Sequence, residues 1–311
     1  MSVVNDTPSQ VSVFVLTGIP GHEGPHLWIA IPFSFMYAIS IVGNAVIIYF
    51  IKTDPSLHEP MYIFLSMLAV TDIGISIATI PTILGTFLFN YREISLNACL
   101  AQLFFIHFLS KIESSVLLTM AFDRFIAIRN PLRYASILTP LRIAKMGLVF
   151  VVRGVVIAFP FPLLLKRYQY CQASVLSHCY CLNQDVMKLA CSDIRASSIY
   201  GMFVAISTVG LDSLLIFVSY VMILKTVLGI ASRTESLRAL NTCVSHLCAV
   251  LLFYVPDIGL AVIHRYGNSS THLLKILLGY VYLLVPPLMN PIVYSVKSKH
   301  IRARIIKAFV K

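Results

Sequence analysis

The chain has 311 residues, of which 58% are hydrophobic and only 12% charged, and its formal net charge is +11 at pH 7. Soluble domains contain about 25% charged residues, so this composition excludes an ordinary soluble protein and favours one embedded in lipid. The excess of positive charge does not indicate nucleic acid binding. Most of it lies in short connections between apolar stretches, where it sets the orientation of a membrane protein.

Seven apolar segments are long enough to cross a bilayer, which takes about 20 helical residues. Their bounds are 27–51, 61–89, 96–120, 146–165, 199–224, 240–263 and 276–296. Backbone groups in lipid must be satisfied within their own segment, so each segment is predicted to be an α-helix. The sequence therefore predicts an all-α membrane protein, a bundle of seven transmembrane helices.

Lys and Arg residues are concentrated in the connections after the first, third and fifth segments and in the tail. The positive-inside rule assigns these parts to the cytoplasm and the N-terminus to the outside. We expect an extracellular N-terminus at 1–26, a transmembrane domain at 27–296 and a cytoplasmic amphipathic helix at 297–311 lying at the membrane surface. A solvated basic tail is the alternative. Asn5 and Asn268 begin N-glycosylation sequons, and both fall on the outer side.

Four long segments carry a family resemblance: LHEPMYIFLSMLAVTD at 57–72, MAFDRFIAIRNPLRY at 120–134, LRALNTCVSHL at 237–247 and PPLMNPIVY at 286–294. They resemble odorant receptors, which are rhodopsin-like G-protein-coupled receptors. VLSHCYCLNQDVMKLAC at 175–191 is similar to the fish-like class of these receptors (class I, subfamily 51-like). The resemblance covers nearly the whole chain. It implies a plasma-membrane receptor without enzymatic activity.

The same resemblance implies what the receptor binds. The expected ligand is a small volatile or short- to medium-chain molecule with a polar head: a carboxylic acid, aldehyde or alcohol. The expected partner is the stimulatory olfactory G protein, which raises cAMP; the lipid bilayer is the other partner, and no nucleic acid is expected. A metabolite-sensing receptor expressed in another tissue is the alternative function.

The implied ligand pocket lies between the outer halves of helices three, five and six, beneath the long outer loop. Its predicted residues are His107, Lys111, Gln184, Tyr254, Asp257, Ala261 and Arg265. His107 and Lys111 are four residues apart and share a helix face. By resemblance, Arg265 anchors an acidic head group, since an Arg fork suits a carboxylate. A plain anchor at the membrane interface is the alternative.

Lys111 and Asp257 are charges within apolar spans, where an isolated charge is costly. We expect them to form an ion pair across the floor of the pocket. Two alternatives remain: Lys111 could pair with Glu113, and Asp257 with His264 or Arg265.

The resemblance also implies a cytoplasmic switch. Its predicted residues are Asp123, Arg124, His246, Asn290, Pro291 and Tyr294. At rest Arg124 would be tied to Asp123, and it would be released when helix six moves outward. Simple snorkelling of Arg124 at the membrane edge is the alternative, and for His246 a packing or capping role. Phe122 and Phe125 stand where the family usually has Tyr, and this removes two hydroxyls from the cytoplasmic hydrogen-bond network.

The resemblance further implies a polar cluster in the middle of the bundle. Its predicted residues are Asn44, Asp72, Glu113 and Asn290. Two neighbouring carboxylates, Asp72 and Glu113, fit a sodium ion or a shared proton. A structural hydrogen-bond network without an ion is the alternative. No cofactor and no other metal is expected.

Five of the seven cysteines fall outside the membrane, so at least one of them must be free. Their spacing alone does not assign the pairs. The resemblance implies disulfides between Cys99 and Cys181 and between Cys171 and Cys191, which leaves Cys179 unpaired.

Two other classes of function fit the sequence less well than a receptor. A channel or transporter is disfavoured because the sequence shows no inverted repeat, no paired broken helices and no filter-like segment. A membrane enzyme is disfavoured because the His-Glu-x-x-His, Gly-x-Ser-x-Gly and phosphate-loop motifs are all missing.

Overall fold

The computed structural model describes residues 13–18, 27–170, 175–229, 232–267, 272–297, 301–304 and 307. Within these residues, seven helices are long and apolar enough to cross a membrane, which confirms the predicted bundle. Helices one, two and three are Leu27–Thr53, Pro60–Phe89 and Leu96–Arg129. Helix four is Pro140–Ala158 and continues as Pro160–Lys166. Helix six is Arg233–Tyr266 and helix seven is His272–Lys297.

Helix five is interrupted by a wider turn. It runs from Arg195 to Val204 as an α-helix, passes through a π-helical turn at Ala205–Gly210, and resumes as an α-helix at Leu211–Leu228. Such π turns are rare and occur frequently at functional sites. Short helices also form in the connections, at Tyr134–Ile137 on the cytoplasmic side and at Asn183–Lys188 in the outer loop.

Besides the helices, the described residues form a small three-stranded sheet on the extracellular side. Strands β1 (Val13–Leu16), β2 (Glu93–Ser95) and β3 (Val175–Leu176) lie in the order β2-β1-β3. Strand β1 is antiparallel to β2 and parallel to β3. Phe14 and Leu16 are buried beneath the outer loop, so the sheet fastens the N-terminal segment to the top of the bundle.

Helix three is the central element, in contact with helices two, four, five and six. Close approach to helix four depends on Gly154, because a Cβ atom there would lie 3.0 Å from the ring of Phe108 and 3.1 Å from its carbonyl oxygen. Small residues allow such packing between membrane helices. Large apolar side chains such as Trp28 and Phe35 are exposed on the outside of the bundle, where they face lipid.

The disulfide between Cys99 and Cys181 is present and joins the start of helix three to the outer loop, as predicted. Cys191 is also disulfide-bonded. Its predicted partner Cys171 lies outside the described residues. Cys179 is free and buried, and burial raises the pKa of its thiol to about 11, so it stays protonated.

Part of the cytoplasmic tail is described, and residues 301–304 are helical. Ile301 is fully buried in the cytoplasmic core, and the Arg304 guanidinium lies 2.5 Å from a carboxylate oxygen of Asp54. The remainder of the predicted tail helix lies outside the described residues. So do the two sequon residues, Asn5 and Asn268.

Cys99→Ser and Cys181→Ser are each expected to abolish most surface delivery of the protein. A native disulfide that closes a long loop typically contributes 2–5 kcal/mol. Cys179→Ser is the matched control and should be mild, since a hydroxyl can replace the thiol beside Tyr280 and Thr17. Antibody staining of intact cells measures the effect. A severe Cys179 variant beside a normal Cys181 variant would contradict this pairing.

Candidate functional site

A cavity of about 470 Å³ opens between helices three, five and six beneath the outer loop, at the place predicted from the sequence. This volume is typical of sites for small organic ligands. Six of the seven predicted ligand-binding residues line it: His107, Lys111, Gln184, Asp257, Ala261 and Arg265. The structure therefore brings together residues that are up to 158 positions apart, from 107 to 265.

Tyr254 is the exception, and it does not line the cavity. It is buried deeper in helix six, where its hydroxyl is 2.8 Å from the Ser114 hydroxyl on helix three. The sequence around Tyr254 does not show how helix six is rotated about its own axis. The prediction of a direct ligand contact is therefore corrected to a contact between helices.

Beneath the cavity, Ser114 belongs to a network built on an ion pair between Arg153 of helix four and Asp212 of helix five. An Arg153 guanidinium nitrogen lies 2.8 Å from the Asp212 carboxylate. Ser114 donates to the same carboxylate at 2.6 Å, and Arg153 donates to Ser115 at 2.7 Å. Two opposite charges within apolar spans were the signal available in the sequence, but nothing in it shows that Arg153 and Asp212 are partners.

Lys111 and Asp257 both line the cavity, but no ion pair joins them in the part of the chain that the structure describes. The Lys111 ammonium instead donates to Thr208 in the π turn at 3.2 Å. One buried carboxylate oxygen of Asp257, Oδ2, has no hydrogen-bond partner. The predicted direct pair is thus corrected to two separate charges facing one cavity.

Neither of the alternative partners of Asp257, His264 and Arg265, forms an ion pair with it among the described residues. His264 donates from its Nδ1 atom to the Leu260 carbonyl at 2.9 Å, and its Nε2 atom lies 3.8 Å from Asp185 in the outer loop. Glu113 forms no ion pair with Lys111 among the described residues, since the Lys111 ammonium donates to Thr208, and its Oε1 atom is buried without a hydrogen-bond partner.

The roof of the cavity is the short loop helix Asn183–Lys188, and Asp185 holds it in place. The Asp185 carboxylate lies 2.5 Å from Nδ1 of His178 and 3.6 Å from the Lys188 ammonium. Burial opposes ionisation of Asp185, but the hydrogen bond with His178, together with the nearby His264 and Lys188, outweighs burial and lowers the pKa of Asp185 below the usual range. Asp185 is therefore a carboxylate that joins the loop to helix six.

Several lining residues were missed by the sequence analysis. Phe161 stacks on His107 with ring centroids 4.5 Å apart, and Asn183, like Gln184, has a buried side-chain carbonyl oxygen without a hydrogen-bond partner. The remaining wall is largely apolar and includes Met187, Ile194, Val204, Val209 and Val262. Positions on the wall of helix five could not be deduced, because the π turn shifts which residues face inward.

The central polar cluster is partly as predicted. Asn290 donates to both carboxylate oxygens of Asp72, at 3.1 and 3.3 Å. Asn44 instead donates to the Pro287 carbonyl at 3.0 Å, so it fastens helix one to helix seven. A small cavity of about 10 Å³ lies beside Glu113, close to the space one water molecule needs.

The cytoplasmic switch residues Asp123 and Arg124 are in contact. Two guanidinium nitrogens of Arg124 donate to one oxygen of Asp123, at 2.7 and 3.0 Å. The other oxygen accepts from the Tyr134 hydroxyl at 2.6 Å. Tyr134 thus supplies a hydroxyl to this network, although Phe122 and Phe125 lack one.

The remaining predicted switch residues lie between helices. His246 is buried, with Nε2 2.9 Å from the Leu117 carbonyl on helix three and Nδ1 2.7 Å from the Tyr220 hydroxyl on helix five. Pro291 packs against Gly43, where an added Cβ atom would lie 3.0 Å from it. Tyr294 is buried in the cytoplasmic core.

Comparison with known proteins decides the family. A family model described as "Olfactory receptor" matches residues 33–311. The chain belongs to the olfactory receptor family. Human Olfactory receptor 51G2 is similar to this receptor, with 61% identity over 308 residues that cover 99% of this chain and 98% of that protein. Human Olfactory receptors 51G1 and 51A4 are each 57% identical, covering 99% and 98% of this chain and 96% and 97% of their own lengths.

Membership gives the class of function. Olfactory receptors are G-protein-coupled receptors for odorants and not enzymes, and this receptor is a multi-pass protein of the plasma membrane. The cavity under the outer loop and the Asp123–Arg124 contact lie at opposite ends of helix three. A ligand on the outside and a G protein on the inside can therefore act through the same helices.

Asp185→Asn in this olfactory receptor is expected to lower its stability by about 1.5–3 kcal/mol, the usual contribution of a hydrogen bond to a charged group. Because its folded-state pKa is lowered, the carboxylate's contribution is present above the unfolded pKa of about 3.9 and is lost only as the pH falls through the lower folded value. Thermal unfolding of the purified receptor at neutral pH measures the change.

Asp193→Asn is the matched control, because Asp193 is 68% exposed and pairs only with the exposed Arg195. It should leave the melting temperature unchanged. Equal melting temperatures for the two variants would contradict the role of Asp185 as the loop's anchor.

Proposed function

We propose that this receptor binds a small organic ligand with a polar head group, such as a carboxylic acid, aldehyde or alcohol, and activates the stimulatory olfactory G protein to raise cAMP. The cavity carries the proposal. Its wall is largely apolar, and Arg265 stands at its outer end on helix six. No ion pair among the described residues involves Arg265, so its guanidinium is available for a ligand.

Activation follows from where the ligand sits. Asp257, Ala261 and Arg265 belong to helix six, whereas His107 and Lys111 belong to helix three. A ligand that touches both helices favours whichever arrangement gives it the better contacts, and this differential affinity shifts the receptor toward that state. Outward movement of the cytoplasmic end of helix six would then admit the G protein.

Two contacts support the resting state in this proposal. The Asp123 carboxylate holds Arg124 at the cytoplasmic end of helix three. His246 bridges helix six to helices three and five through Leu117 and Tyr220. Both contacts would break when helix six moves, so both oppose activation without ligand.

A sodium ion near Asp72 and Glu113 is a further part of the proposal. Both carboxylates are buried, and Glu113 has an unpartnered oxygen beside the small cavity. Hard cations prefer oxygen ligands, so these residues fit the ion. A cation there would neutralise part of the negative charge between helices two and three and favour the resting arrangement.

Arg265→Ala is expected to weaken the response to the best carboxylic acid about ten- to hundredfold. The loss corresponds to about 1.5–3 kcal/mol, the usual range for a hydrogen bond to a charged group. The readout is ligand-evoked cAMP in cells with and without the stimulatory olfactory α subunit. Arg195→Ala is the control, because Arg195 is 88% exposed and does not line the cavity.

Two results would count against these assignments. An unchanged potency in Arg265→Ala at normal surface expression would remove Arg265 as the anchor. A ligand response that does not depend on the stimulatory α subunit would contradict the proposed coupling.

Tyr134→Phe is expected to raise cAMP in the absence of ligand. The variant removes the hydroxyl that donates to Asp123 at 2.6 Å, so the carboxylate that holds Arg124 is less well fixed. A hydrogen bond to a charged group typically contributes about 1.5–3 kcal/mol, enough to raise basal activity severalfold. Basal cAMP at matched surface expression is the measurement, and a basal level no higher than that of the unaltered receptor would contradict this role.

A further inference from the structure

At the floor of the ligand cavity, one oxygen of a carboxylate has no hydrogen-bond partner among the described residues. Asp257 lies on helix six within the membrane span, and its Oδ2 atom has no hydrogen-bond partner. A buried charge without a partner is expensive, and such residues within a membrane usually serve binding or transport. The site therefore calls for a hydrogen-bond donor supplied from the cavity.

Lys111 faces the same cavity with unused donor capacity. Its ammonium group carries three hydrogens, and the described structure uses one of them, on Thr208 at 3.2 Å. Asp257 requires a donor, while Lys111 requires an acceptor. A hydroxyl group is uncharged and does both, since it donates one hydrogen and accepts on its lone pairs.

The charged residues around the cavity indicate the net charge of the ligand. The charged lining residues are Lys111, Lys188, Asp257 and Arg265. Lys188 lies 3.6 Å from Asp185 and is neutralised by it. Two cations and one carboxylate remain, so a ligand with a single negative charge leaves the cavity neutral. A ligand amine at the floor would add a positive charge to this set.

We propose that the receptor selects a carboxylic acid that also carries a hydroxyl group, an inference that rests on the proposed odorant-binding function. The carboxylate contacts Arg265 at the outer end, and the hydroxyl lies between Asp257 and Lys111 at the floor. Asp257 and Arg265 are eight residues apart, about 12 Å along the helix axis at 1.5 Å per residue. The hydroxyl therefore belongs near the far end of the carbon chain rather than beside the carboxylate.

A plain acid of the same length binds less well for a physical reason. It contacts the apolar wall and Arg265, but it supplies no hydrogen-bond donor to Asp257, whose Oδ2 atom then stays unpartnered. A site built to bind a hydroxyl rejects the analogue that lacks it more strongly than an apolar pocket rejects an extra group. The expected preference for the hydroxylated ligand is at least tenfold.

Matched pairs of ligands test the proposal in cells that express the receptor and the stimulatory olfactory α subunit. Each pair is a straight-chain acid and its terminal hydroxy acid, such as hexanoate and ω-hydroxyhexanoate, over a series of chain lengths. In the unaltered receptor, the best hydroxy acid should evoke half-maximal cAMP at a concentration at least tenfold lower than its plain partner. Asp257→Leu, which replaces the carboxylate with an apolar side chain of similar size, should abolish or reverse that preference.

Surface staining controls for folding of the variant. If Asp257→Leu does not reach the surface, the preference is measured in Asp257→Asn. This amide keeps the shape but loses the charge that strengthens the hydrogen bond, so the preference should fall toward equality.

The outcomes separate this inference from the function on which it rests. Equal or better potency of the plain acids, or a preference unchanged by the Asp257 variants, would overturn the hydroxy-acid inference and leave odorant signalling intact. A response to simple alcohols or aldehydes but to neither member of any pair would have the same meaning. Silence toward all of these compounds in a receptor present at the surface would overturn both.

Discussion

The ion pair between Arg153 and Asp212 holds the middle of the bundle together. It joins helices four and five within the membrane, and Ser114 and Ser115 attach it to helix three. Tyr254 extends it to helix six through Ser114. Removing one partner of a buried pair leaves an uncompensated charge, which typically costs 3–5 kcal/mol. The width of the cavity above this network therefore depends on residues that do not line it.

Buried polar groups differ in how fully their hydrogen bonds are satisfied. In the supporting networks, Asp212 has an Arg and a Ser, and His246 uses both ring nitrogens. Two cavity-lining residues, Asp257 and Gln184, each have a buried oxygen without a hydrogen-bond partner. Unpartnered atoms also occur away from the cavity, as at Glu113 and Tyr294, so it is their combination with a ligand-sized cavity that indicates where a ligand adds hydrogen bonds.

The sequence was sufficient for features that depend on local composition or on long shared motifs. Apolar length predicted all seven spans, and six of seven expected pocket residues line one cavity. Sequence-based prediction of side-chain contacts failed where those contacts depend on how a helix is rotated about its axis. Tyr254 contacts Ser114 and does not line the cavity, and Lys111 donates to Thr208 instead of Asp257. The ends of the helices also extend past the apolar segments, as at Arg129, because a helix does not stop where lipid does.

The π turn at Ala205–Gly210 lies at the edge of the cavity, with Ala205 and Val209 in its wall. In a regular helix each residue advances by about 100°, since there are 3.6 residues per turn. Losing one residue from the wide turn would rotate everything outward of it, from Arg195 to Val204, by about that angle. A different row of side chains would then face the cavity. A single insertion or deletion in the π turn can thus replace all the side chains that helix five presents to the cavity. Such a change alters the ligand preference of the pocket more than any single substitution does.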